Sequence, residues 1–185
     1  MFPPGRRFLA EGSTVTRALI QPAEDLRQVL DSGQLLTPWA QERCGQAVTA
    51  DVERTGPNIL DRDEAVLLGL PEDESWACLR RGGRLVQADG TEVARVTSVV
   101  ALSRVTADQV RLLQATRTPL GLALGERASS KVLWCSVGIS EYAVACGRLI
   151  LVDGNPVALT TDWVLWSWLG SVSPGKPGIL PSAGS

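Results

Sequence analysis

Histidine is absent from all 185 residues, and with it go the commonest general base near neutral pH and the commonest nitrogen ligand for zinc, iron or copper. Serine and cysteine hydrolases of the histidine-dependent kind are thereby excluded. Cysteine is sparse: Cys44, Cys78, Cys135 and Cys146 form no C-x-x-C pair, so neither a zinc site nor a redox motif is read from spacing, and buried free thiols are expected. No G-x-x-x-x-G-K-[ST] and no G-x-G-x-x-G occurs, which denies nucleotides their usual phosphate cradle. No apolar run approaches the roughly 18 residues that span a bilayer, and Met1 to Arg7 carries Pro3 and Pro4 where a signal peptide needs continuous apolar residues. Charge of either sign is not in excess, with 18 Lys and Arg against 20 Asp and Glu and a net charge of -2, so no broad cationic face awaits phosphates. These absences predict a cytoplasmic protein without nucleic acid or membrane partners and without metal or cofactor.

What remains is ample for one core, since 44% of the chain is hydrophobic. Residues 1–20 read as a flexible N-terminal arm, 21–170 as a single domain, and 171–185, rich in Pro, Gly and Ser, as a disordered tail. Helical patterns start at Gln21, with Pro22, Glu24 and Asp25 in a first turn and Leu26, Val29 and Leu30 on one face. A second begins at Thr37 as N-cap, with Pro38 in its first turn and Gly45 as its stop. Ala47 to Thr55 alternates as a strand that Gly56-Pro57-Asn58 breaks. Asp61 to Pro71 reads as a surface helix over one sheet edge.

Two hairpins follow from turn chemistry. Asp89-Gly90 joins Ser75–Val86 to Thr91–Leu102, and Asp153-Gly154-Asn155 joins Leu149–Val152 to Val157–Trp166, because glycine accepts the positive φ of a tight reversal. Between them, Thr106 caps a helix to Ala115 with Val110, Leu112 and Leu113 inward, and Pro119-Leu120-Gly121 opens another short helix. Strands in antiparallel hairpins with intervening helices make the fold class α+β with a single antiparallel sheet.

The order of four signals, Leu67-x-Gly69-Leu70-Pro71, Asp89-Gly90, Gln114 to Gly121 (Q-A-T-R-T-P-L-G) and Asp153-Gly154-Asn155-Pro156, resembles the chorismate pyruvate-lyase family and its relative, the UTRA effector-binding domain of bacterial regulators. The resemblance covers roughly residues 25–168. It implies helices and flaps that enclose a small-molecule cavity, bounded by Val93–Leu102, Thr118–Leu124 and Val157–Trp166. It also implies two lyase residues that are missing. The carboxylate-binding arginine falls on Thr97 and the proton-transferring acid on Thr161, while Leu122 replaces an arginine common after the P-L-G turn. Arg95, two residues from Thr97, shares its strand face, and Asp162 adjoins Thr161.

Three functional classes follow. The first is a cofactor-independent biosynthetic enzyme that holds a mostly apolar guest, polyketide-like or aromatic, and promotes elimination or cyclisation. Its candidate catalytic residues are Arg95, Asp162 and Glu141, and its candidate binding residues are Thr97, Leu120, Gly121, Leu122, Tyr142, Thr161, Trp163 and Trp166. The tryptophans offer pocket walls, and Trp166 and Trp168 share a face if extended; Trp76 and Trp134 fit core packing. The second class is a non-catalytic UTRA-like effector binder, and the third is a true chorismate pyruvate-lyase. A monomer or homodimer with a small-molecule ligand is expected in each case.

Overall fold

The computed structural model describes residues 17–115, 117–136 and 142–171. The elements run α1 (Arg17–Asp31), α2 (Leu36–Cys44), β1 (Val48–Ile59), α3 (Arg62–Leu67), β2 (Ala77–Gln87), β3 (Glu92–Ala101), α4 (Ala107–Gln114), α5 (Leu120–Leu124), β4 (Ala128–Ser136), β5 (Ala143–Val152), β6 (Asn155–Leu165) and α6 (Trp166–Ser171). One 6-stranded antiparallel sheet has the order β1-β2-β3-β6-β5-β4. The α+β class read from the sequence is the observed one. Both hairpin turns form at their glycines, Gly90 at φ 86° and Gly154 at φ 78°. Reciprocal capping boxes start two helices, Asp61 with Glu64 at α3 and Thr106 with Gln109 at α4. The arm and the tail fall outside the described residues, apart from residues 17–20 and Ser171.

Several boundaries differ from the sequence pattern, each for a local reason. The first helix starts at Arg17, so Pro22 lies inside it and Glu24 and Asp25 are not in its first turn. Thr37 is not a cap: Leu35 takes that place without a side-chain bond, and Thr37 is buried within the first turn. The segment Gly56-Pro57-Asn58 does not break β1, which continues to Ile59. Proline is tolerated because β1 is an edge strand with one side of its ladder unpaired. Leu112 points to solvent while Leu113 is buried. Trp166 and Trp168 belong to α6 and not to an extended segment.

The two sheet faces are covered differently. On one, α1, α2 and α6 bury Leu26, Trp39, Ala94, Cys146, Val164 and Trp168, and α4 and α5 bury Leu79, Leu113, Val100, Ala158 and Ile150. Trp39 and Trp168 meet edge to face with centroids 5.6 Å apart. On the other face, among the described residues, α3 alone packs down, with Ala65 and Leu68 against Cys78, Ala101 and Leu149. The described residues leave the rest of that face uncovered. Among the described residues no helix is long and apolar enough to cross a membrane.

Candidate functional site

The open face carries a groove of about 630 Å³. A single row of paired residues crosses all six strands beneath it. Arg54 on β1 faces Gly82 on β2, Gly82 faces Thr97 on β3, Thr97 faces Thr161 on β6, Thr161 faces Gly147 on β5, and Gly147 faces Trp134 on β4. The two threonines are the floor, the glycines are the troughs beside it, and the edge strands supply the walls.

Strand alternation alone does not put those walls there. On β1 the pairing shifts between Val52 and Arg54, and on β4 between Val132 and Trp134. A bulge adds one residue, so alternation restarts in the opposite sense. Without it, Arg54 would lie on the face opposite Asp51, and Trp134 would turn with Val132 toward the helices. The glycines accept the result. A Cβ at Gly147 would overlap the Trp134 indole, and one at Gly82 would sit 3.8 Å from the Arg54 guanidinium. A Cβ at Gly83 would overlap the Asp51 carbonyl oxygen in the β1 bulge.

The charge of the groove is uneven. Arg80 donates Nη1 and Nη2 to the two carboxylate oxygens of Glu64 at 2.8 and 2.7 Å, and that bond pushes the Arg80 guanidinium above its ordinary value. Glu64 and Leu67 bring α3 into the groove lining, a part the surface-helix reading did not give it. Further along the same face Arg84 is surrounded by Asp51, Glu53 and Glu92. Arg54 has no ion pair among the described residues and is exposed at the groove wall. Among the described residues no cluster of three or more Cys, Asp or Glu is placed to hold a metal.

The opposite face holds a second polar row, this one buried. Arg81 faces Ser98, Ser98 faces Thr160 and Thr160 faces Arg148, all of them buried. Arg148 Nε donates to Asp162 Oδ2 at 2.6 Å, and the Thr160 hydroxyl donates to the same oxygen at 3.3 Å. Arg81 reaches the carbonyl oxygens of Thr118 and Ala115 at 2.9 and 3.4 Å, and burial lowers its guanidinium from the ordinary value. Beside this row a cavity of about 40 Å³ is lined by Val96, Leu120, Gly121, Arg148, Thr160 and Asp162, among others. The volume bounded by β3, β6 and the Thr118–Leu124 turn is therefore this small one. The large groove lies on the other side of the sheet.

The sequence-derived candidates divide accordingly. Thr97 and Thr161 come together on the groove floor. Arg95 shares their face but lies outside the groove lining, with its side chain 68% exposed and its Nε 3.0 Å from Glu92. Trp163 faces Arg95 across the ladder, two residues from the floor. Asp162 is on the helix-covered face, 1% exposed and paired with Arg148, because no bulge interrupts β6 beside Thr161. Leu120 and Gly121 line the small cavity on that same face, and Leu122 is 55% exposed. Trp166 is buried in the helical core and lines neither the groove nor the small cavity, since its segment is helical. Tyr142 is 76% exposed, with its carbonyl accepting from the Trp166 amide. Glu141 lies outside the described residues.

Arg54, Trp134, Gly82 and Gly147 were not singled out by sequence reasoning. Trp134, read as core packing, is instead 38% exposed at the groove. A signal existed: glycine inside a strand pattern marks a bulge or a close approach, and Gly82-Gly83 and Gly147 are such glycines.

No protein-family model and no curated protein matches the sequence. Solved structures do. The effector domain of PhnF from Mycobacterium smegmatis superposes with a TM-score of 0.53 at 14% identity, over 72% of this chain and 88% of that one. PhnF from the same organism gives 0.53 at 13% identity, over 71% of this chain and 64% of that one. At such identity the likeness carries the fold alone, and it is the fold that the chorismate lyase and UTRA resemblance implies.

Proposed function

We propose that this chain binds one small molecule in the groove and releases it unchanged. The guest carries an acidic group for Arg54 and a flat apolar body that lies over Thr97 and Thr161 toward Trp134. The observation that carries this is the single row across the sheet, which sets Arg54, without an ion pair among the described residues, at one wall, an indole at the other and two hydroxyls between them. A guanidinium offers a bidentate fork to a carboxylate or phosphate, and an indole offers a broad apolar face. Low-identity structural likeness to a domain described as the effector domain of PhnF is consistent support.

A binder is favoured over a catalyst because the titratable candidates do not converge. Asp162 is spent on Arg148 across the sheet, and Glu64 is held by Arg80. Where the lyase resemblance calls for an arginine and an acid, Thr97 and Thr161 face each other instead. Threonine can donate or accept a hydrogen bond there, but it supplies neither a permanent cation nor an acid near neutral pH.

Calorimetry with 2-naphthoate and its neutral counterpart 2-naphthylmethanol tests the reading. One naphthoate should bind per chain, and Arg54→Ala should weaken it by about 1.5–3 kcal/mol, the scale of hydrogen bonds to charged groups. The same substitution should leave the alcohol unaffected, whereas Trp134→Ala should weaken both. Equal naphthoate affinity in wild type and both variants would overturn the assignment. In a separate incubation, chorismate should release no pyruvate, and steady pyruvate production would restore the lyase reading.

A further inference from the structure

The four cysteines are not equivalent. Cys135 on β4 and Cys146 on β5 are register partners, and their sulfurs lie 2.8 Å apart. Both are free thiols. Paired residues of an antiparallel ladder have Cα atoms about 4.5–5.5 Å apart, inside the 4.4–6.8 Å range that a disulfide accepts. The two sulfurs need only close to about 2.0 Å. By contrast, Cys44 Sγ bonds to the carbonyl oxygens of Gln41 and Gln46, and Cys78 is fully buried beneath α3, where burial raises its thiol.

We propose that Cys135 and Cys146 form a modification site, oxidised by hydrogen peroxide to an intrachain disulfide that fixes the strand pair behind the Trp134 wall. Cys135 is the attacking group. It is only half-buried while Cys146 is buried, and a hydrogen bond from the Cys146 thiol stabilises its thiolate and lowers it against the opposing effect of burial, with Arg27 of α1 assisting and Asp31 opposing. The same contact, together with burial and the charge of Asp162, raises Cys146 strongly against the milder pull of Arg148.

Each step balances. The Cys135 thiolate attacks one peroxide oxygen, the O–O bond breaks, and the departing hydroxide takes a proton to become water. Cys135 is then a sulfenic acid. Cys146 sulfur attacks the Cys135 sulfur, the S–O bond breaks, and the leaving hydroxide takes the Cys146 proton as the second water. Two thiols are oxidised by two electrons and one hydrogen peroxide is reduced.

The bond bears on the groove by adjacency. Trp134 precedes Cys135 and packs on Gly147, which follows Cys146, so neighbouring rungs of one ladder carry the wall on the open face and the thiols on the covered face. A disulfide there ties the edge strand that holds Trp134 to the strand beside it. That consequence rests on the groove reading; the bond itself does not.

Hydrogen peroxide is therefore the probe. After treatment, denaturation and alkylation with N-ethylmaleimide, an unreduced peptide map should join the Cys135 and Cys146 peptides, leave Cys44 and Cys78 alkylated, and separate the joined pair on addition of dithiothreitol. Cys146→Ser should abolish the link and carry Cys135 on to sulfinic acid. Four alkylated cysteines after peroxide, or sulfinic Cys135 in the wild type, would overturn the proposal. The map needs no ligand, so a groove that binds no naphthoate leaves this result standing. Coupling to the wall is read from tryptophan fluorescence: the difference between oxidised and reduced protein should vanish in Trp134→Phe, and an unchanged difference would refute that coupling.

Discussion

Asp162→Ala should lower the unfolding free energy by about 3–5 kcal/mol, the cost of breaking a buried ion pair from one side. Arg148 and Asp162 are 4% and 1% exposed, so the alanine leaves a guanidinium in the core without its carboxylate and the Thr160 hydroxyl without its acceptor. The loss should appear in urea denaturation as a lower midpoint with an unchanged slope. A double replacement, Arg148→Met with Asp162→Leu, should recover most of it, because removing both charges also removes their desolvation. A loss below about 1 kcal/mol in the single variant, the scale of an exposed pair, would mean that water reaches the pair. Such a result would also reopen Asp162 as a group available to a ligand.

The second large effect is expected at Gly83, and its neighbour is the control. A Cβ at Gly83 overlaps the Asp51 carbonyl oxygen and approaches Val52 Cα to 2.9 Å. Both obstacles are backbone, so no rotamer change relieves them, and β1 itself must move. Gly83→Ala should cost about 3 kcal/mol, the upper part of the usual overpacking range. It should also weaken naphthoate as Arg54→Ala does, because the β1 bulge aims Arg54. Gly82→Ala meets only side-chain atoms, at 3.8 Å, and should be stable to within about 1 kcal/mol. Equal stability of the two variants would show that the bulge is not held by the close approach at Gly83.

Local chemistry is why much of the fold was legible. Asp89-Gly90 and Asp153-Gly154 marked two hairpins because positive φ selects glycine, and Thr106 marked a helix start as its N-cap, to which the structure adds the reciprocal bond from Gln109. Thr97 and Thr161 were placed by resemblance and do face one another. What escaped depends on long-range pairing. The bulges at Glu53 and Leu133 are set by β2 and β5, and a residue count along one strand cannot show which face follows them. The strand at Ala128–Ser136 and the proline inside β1 needed knowledge of which strands are edges. Trp166-Ser167-Trp168 alternates as a strand would, and packing of α6 against α1 decides for helix.

Both walls of the groove stand on the outermost strands, β1 and β4. Their outward sides have no ladder partner within the sheet; loops cover part of each, Arg117 accepting from the Ala50 amide and Gly33 from the Ser130 amide, and where such an edge stays uncovered another strand can add. Any chain that docks on either edge does so beside Arg54 or Trp134. Ligand occupancy and edge association then share one thermodynamic cycle: by whatever factor a bound guest changes the affinity of an edge for its partner, the partner changes the affinity of the groove for the guest by the same factor.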